Sequence, residues 1–272
     1  MCAVIERRTA ARSARLRAAV VAEWIKVRSL RSLPTALLAA AVFSIGLAVL
    51  VCASFHARWD ALPAERHRAF DPIDTNLGFL QITPVFFASL GALVITSEYG
   101  CGLIRGTFAA TPQRGLVIAA KALLVGVIGW IAATAITCAA FLLGQGRLAG
   151  AAPHVGLGSP GAARAVLGGG LYLTLAALLG MFVGVLARNT AVAVSGVFAI
   201  LLVLPTMVDN LPHKFLWRLT VPYLPSNLGL SVWHHGHLPP DLARPGVGVL
   251  GLVAWVVAIA ALGTVRVRKR DA

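Results

Sequence analysis

The sequence predicts an all-α membrane protein with six transmembrane helices, both termini cytoplasmic, and an N-terminal amphipathic helix at the interface. Three observations carry that prediction. Of the 272 residues, 58% are apolar and only 12% charged, with a mean hydropathy of +0.82. Ordinary soluble domains carry roughly 25% charged residues, so both a soluble enzyme and a disordered chain are excluded. The apolar residues gather into six runs, at about 33–55, 77–97, 116–144, 165–187, 189–208 and 247–265, each at or near the ~20 residues that cross a hydrocarbon core. In lipid, backbone groups have only one another as partners, so each run reads as a helix. Basic residues flank the runs unevenly: 16 Lys and Arg fall on the side of the termini and 8 on the other. The richer side is cytoplasmic.

Taken in order, residues 1–32 form a basic cytoplasmic segment holding 8 of the 24 Lys and Arg. Leu16, Val20, Trp24 and Val27 recur at helical spacing, with Arg12, Arg15, Glu23, Lys26 and Arg28 elsewhere around the wheel. The pattern predicts a helix lying on the inner leaflet, the alternative being a topogenic charge cluster without order. Cys2 follows Met1 with no hydrophobic region ahead of it, so no cleaved lipoprotein signal is expected. Residues 33–265 form the six-helix domain. Pro34 opens the first run, Thr111 and Pro112 cap and start the third, and Arg188-Asn189 breaks the fourth from the fifth. An outer loop is expected at about 209–246, and residues 266–272 form a basic cytoplasmic tail. Trp24 marks the inner interface and Trp59, Trp217 and Trp233 the outer one, with Trp130 and Trp255 deeper. The net charge of +14 is thus assigned to membrane topology, with membrane lipid as a partner and no nucleic acid.

Several chemistries are absent. Lys26, Lys121, Lys214 and Lys269 all lack the preceding glycine of a phosphate-binding loop. The histidines, at 56, 67, 154, 213, 234, 235 and 237, all fall in expected outer loops, so a nucleophile and base buried in helices are missing. His234-His235-Gly236-His237 is the one metal-like string; it reads as a solvated loop or a weak copper or nickel site, and no metal is assigned. Asp71 and Asp74 read as a loop and helix cap near Thr75 and Asn76 before a cation site. The four cysteines show no metal or redox spacing. No Asp, Glu, Arg or Lys lies in the central part of any run, which leaves no internal device for ion-driven transport. The chain therefore carries no expected catalytic residue and no cofactor. Energy, if it is used, arrives from outside the membrane part.

The inner segment at about 98–116 is the place for it to enter. Leu103, Ile104, Phe108 and Ala109 form a short apolar stripe, Gly102 and Gly106 allow close approach of another chain, and Arg114 and Lys121 follow. It is too long for a simple turn and reads as a docking element. Ser97, Glu98, Tyr99, Gly102, Ile104, Arg105, Thr107, Thr111, Pro112, Arg114 and Lys121 stand in an order that resembles the corresponding loop of type-2 ATP-binding-cassette (ABC) transporter permeases, the actinobacterial membrane subunits especially. Residues 22–28, Ala-Glu-Trp-Ile-Lys-Val-Arg, are similar to that family's pre-membrane helix, and residues 223–227 to its outer segment before the last span. The 20 Arg against 4 Lys suit a high-GC bacterium, hence a bacterial cytoplasmic membrane.

The resemblance implies a non-enzymatic permease subunit, an exporter, energised by a separate ABC ATP-binding subunit that holds ATP and Mg. It also implies a second permease copy or a related permease as partner. Glu98, Gly102, Arg105, Thr107, Pro112, Arg114 and Lys121 would couple to the ATPase, with Glu98 held by a basic neighbour. A membrane scaffold or assembly protein without transport activity is the alternative. Gly180 and Gly184 in the fourth run fit a close helix contact, the alternative being a chance spacing in a glycine-rich chain.

Overall fold

The computed structural model describes residues 17–26, 28, 32–100, 114–209, 220–236, 238, 239 and 242–270. Among these there is no strand. Six helices are long and apolar enough to cross a membrane: Leu33–Ala61, Pro72–Gly100, Gly115–Leu148, Ala162–Ala187, Thr190–Val208 and Pro245–Arg266, hereafter spans 1 to 6. Residues 17–26 form a separate helix ahead of span 1, the interfacial helix.

The largest difference at a span's start concerns span 2. It begins at Pro72, ahead of the apolar run, because Asp71 caps a short helix, Pro72–Leu77: its Oδ1 accepts the Ile73 amide at 2.8 Å and the Asp74 amide at 3.1 Å. A 3-10 turn, Gly78–Gln81, then feeds the main helix, Thr83–Gly100. Span 3 belongs to a helix of 35 residues, Arg114–Leu148. At 1.5 Å per residue that is about 50 Å, well beyond a core of about 30 Å. Its two ends therefore carry polar work, Lys121 at one and Gln145 at the other. Gln145 donates to the Pro72 carbonyl at 2.7 Å and accepts the Val155 amide at 3.0 Å, tying the start of span 2 and the end of span 3 to the loop that follows.

Span 4 is the most buried of the six and lies at the centre, against spans 2, 3 and 6. Apolar burial gives helices no net drive to associate in lipid, so close packing of small residues must supply it. Spans 2 and 4 do this at two crossings. A methyl group at Gly91 would collide with the Ala177 carbonyl, and one at Gly180 with the Ala88 carbonyl. Gly184 sits against Ile95 in the same seam. Between spans 1 and 2, the Ser44 and Thr83 hydroxyls meet at 3.3 Å, both fully buried.

Span 4 ends at Arg188, whose φ of 56° turns the chain, and Asn189 restarts it by accepting the Val192 amide at 3.1 Å. Span 5 is irregular: Ala199–Val203 is a π turn in which the Leu204 amide reaches back to the Ala199 carbonyl. Pro205, having no N–H, cannot bond the Leu201 carbonyl in the ordinary way, which accounts for the irregularity at this place.

The expected outer loop at about 209–246 is not all loop. Pro225–Trp233 is a helix with every residue but Leu230 buried, packed on spans 4 and 6. Gly229 lies under the buried Tyr172 ring, and Gly168 and Gly248 admit the helix's Val232 and Leu228 carbonyls. Just ahead of it, the Tyr223 carbonyl accepts the Trp255 indole N–H at 3.0 Å. Trp255 is ten residues into span 6, about 15 Å from its first residue. Pro225–Trp233, called the outer helix after its place in the expected outer loop, is therefore re-entrant: it starts alongside the middle of span 6 and rises toward that span's first residue. Trp233, expected in the interfacial belt, is buried at its top, 4% exposed.

Candidate functional site

At the end of the bundle where the interfacial helix lies, four charged side chains meet. Glu23 comes from the interfacial helix, Glu98 from the last turns of span 2 and Lys121 from the first turns of span 3. The Lys121 ammonium donates to Glu98 Oε1 at 2.8 Å and also to Glu23 Oε2. Lys26 donates to Glu23 Oε1 at 2.7 Å and stands 3.6 Å from Glu98 Oε1. Glu23, Glu98 and Lys121 are buried, at 2%, 6% and 2% exposed, while a third of the Lys26 side chain reaches the surface. Two acids and two bases make the group neutral, which is what lets it be buried. Burial would raise the Glu23 carboxyl, but hydrogen bonds from Lys121 and Lys26 and their charges outweigh it and hold the group below the usual carboxylate range.

The interfacial helix turns accordingly. Its bundle face is Ala19, Val20, Glu23 and Lys26, while Val21, Trp24 and Ile25 point outward. The wheel read from sequence put Glu23 on the polar side, because in isolation an acid has no reason to turn inward. Lys121, waiting at the bundle, provides that reason.

The last turns of span 2 are held on their other side as well. Thr190, at the start of span 5, donates its hydroxyl to Thr96 at 2.9 Å, and the Arg188 guanidinium lies over the Tyr99 ring at 5.7 Å. Of the expected coupling residues, Glu98 and Lys121 are thus brought together, each the other's partner within one chain. Glu98 has the basic neighbour expected for it. Gly102, Arg105, Thr107 and Pro112 lie outside the described residues, as does the side chain of Arg114. Beside the quartet a narrow apolar groove runs between spans 1 to 4. Leu37, Phe87, Leu90, Leu124 and Ile128 line it with Lys121.

A second polar cluster sits at the opposite end. His235 Nδ1 lies 2.8 Å from Asp71 Oδ2, and its Nε2 lies 3.1 Å from the Pro160 carbonyl. Asp74 accepts the His235 amide at 2.8 Å and the Gly236 amide at 3.2 Å, and stands 3.2 Å from His234 Nδ1. Arg164 donates to the His234 carbonyl at 2.7 Å. His234 and His235, read from sequence as a solvated loop or weak metal ligands, lie in a partly buried loop, with their ring Nδ1 atoms against Asp74 and Asp71. The helix-capping role read for the acids is seen at Asp71. Among the described residues no group of three His, Cys, Asp or Glu is placed to hold a metal ion. His237 and Asp241 lie outside them.

Compared with protein-family models and with curated proteins, the chain gives no match.

Proposed function

We propose that this chain is the membrane-spanning permease subunit of an ATP-driven ABC transporter, working as an exporter. A separate ATP-binding subunit docks on the segment between spans 2 and 3. In this reading both termini and the charged quartet face the cytoplasm of a bacterium, and two permease copies or two related chains pair. The chain hydrolyses no ATP itself; nucleotide and Mg belong to the partner.

The observation that carries the reading is where the quartet stands. Glu98 and Lys121 bracket residues 101–113, the segment whose residues resemble the family's loop, and Lys121 joins Glu98 to Glu23 of the interfacial helix. A push on that segment would move the ends of spans 2 and 3 and the interfacial helix as one block. Buried, paired charges are suited to such transmission, because separating them in a low dielectric is costly. ATP binding would then bias the spans by a population shift through this block.

The test is charge reversal at Arg105→Glu with Arg114→Glu. Truncating or reversing a partly desolvated contact costs about 2–5 kcal/mol of docking. The doubly substituted chain should express and insert normally, yet recover much less ATPase from native membranes and lose the ATP hydrolysis that accompanies the complex. Recovery of the ATPase at wild-type levels would refute the docking site. ATP hydrolysis by the pure chain would refute the subunit assignment.

A further inference from the structure

The outer cluster has a feature that the transport reading does not use. Both ring nitrogens of His235 face acceptors: Nδ1 faces the Asp71 carboxylate and Nε2 the Pro160 carbonyl. A neutral imidazole has one N–H and can satisfy only one of them, whereas the imidazolium has two and satisfies both. The three segments so joined are remote in sequence: the turn ahead of span 2, the 149–161 loop between spans 3 and 4, and the top of the outer helix. The loop is seated closely on the ring. Gly161, with φ of 81°, has no room for a side chain because the imidazole occupies that space.

We infer that His235 is a proton-operated clasp: charged, it binds the 149–161 loop to the turn ahead of span 2, and on losing its proton it lets the loop go. The direction of release follows from hydrogen-bond strength. A neutral ring keeps its remaining N–H on the carboxylate, the stronger acceptor, so the Pro160 carbonyl loses its donor. The groups facing or adjoining His235 are Asp71 and Asp74 from the turn ahead of span 2, His234 beside it in the chain, and Arg164 from the start of span 4. The two carboxylates favour the imidazolium.

The titration agrees in sign. The hydrogen bond to Asp71 raises His235 above its ordinary 6.5, against a smaller opposing effect of burial. Burial would raise Asp71, but its hydrogen bonds from His235 and the backbone amides of Asp74 and Ile73 hold it below its ordinary 3.8. A raised histidine contributes fully below 6.5 and its contribution is lost as pH rises through the raised value. A depressed carboxylate contributes above 3.8 and is lost as pH falls through its lowered value. The clasp is therefore strongest between these limits and loosens on the alkaline side, which makes it a sensor of the pH at that face.

The experiment uses the full chain in lipid nanodiscs. Histidine side-chain NMR gives the His235 titration, and hydrogen exchange, corrected for the intrinsic effect of pH, reads residues 149–165 and 234–236. His235 should titrate above 6.5, and exchange in 149–165 should rise on the order of tenfold across that titration, the loss of one charge-assisted bond. Asp71→Asn should lower the His235 titration. His235→Gln should abolish the pH dependence of exchange, and His234→Gln should retain it. Titration at or below 6.5, or an unchanged exchange profile in His235→Gln, would overturn the inference. Loss of the profile in His234→Gln alone would overturn it too, by naming the wrong histidine.

Discussion

Replacing Lys121 by methionine keeps the volume and the apolar stem while deleting the ammonium that joins Glu98 to Glu23. The quartet then holds two carboxylates against Lys26 alone, whose distances are 2.7 Å to Glu23 and 3.6 Å to Glu98. Removing one partner of a buried ion pair costs about 3–5 kcal/mol. Proton uptake caps that loss. Protonating a carboxyl of ordinary pKa 4.3 costs about 3.7 kcal/mol at pH 7 and about 1 kcal/mol at pH 5, so Glu23 would take up a proton once the charge penalty passes that value. The expected destabilisation is therefore about 3–4 kcal/mol at pH 7, shrinking towards about 1 kcal/mol at pH 5. Unfolding in mixed detergent micelles at both pH values measures it. Combining Lys121→Met with Glu23→Leu removes the stranded charge and should recover most of the loss. A Lys121→Met chain as stable as wild type at pH 7, or one whose deficit is the same at pH 5, would refute the view that these charges form one interdependent buried group.

Two further tests address packing and orientation. Gly180→Ala places a methyl against the Ala88 carbonyl, so spans 2 and 4 must separate or shift; a loss of about 1–3 kcal/mol is expected, read by the same unfolding assay. In a Cys2→Ser background, Cys101 should react with an impermeant thiol reagent only in inverted vesicles or lysed cells; labelling in intact cells would reverse the orientation.

Hydropathy was enough to read the six spans, because lipid forces any long apolar run into a helix whatever its neighbours do. It was not enough for the outer helix. Pro225–Trp233 has nine residues, including Ser226, Asn227, Gly229 and Ser231, and only the surrounding spans make it buried. The start of span 2 escaped notice for a related reason, since Asp71, Asp74 and Asn76 break the apolar run although Asn76 is fully buried and donates to the Phe141 carbonyl at 2.9 Å. Glu98 and Lys121 were singled out by the resemblance of the segment they flank. Glu23 was not, because the partner that draws it into the bundle, Lys121, is 98 positions away and no local period records such a meeting. One signal was present: Glu23 is the sole acid between residues 12 and 31. The pairing of Asp71 with His235, 164 positions apart, had no comparable local trace.

The seam between spans 2 and 4 also dictates the order in which the chain can be built. Synthesis delivers residues from the N-terminus, so Glu23, Glu98 and Lys121 have all emerged once the start of span 3 is made, and the charged group can close while span 4 is still on the ribosome. Span 2 meanwhile presents Ala88 and Gly91 with nothing to receive them, and must wait in the membrane until Ala177 and Gly180 arrive. The outer helix waits longest, since its seat includes Gly248 and Gly251 of span 6. A nascent chain halted after span 3 should thus already resist extraction of its N-terminal helix, whereas one halted after span 5 should still leave the re-entrant segment open to proteases.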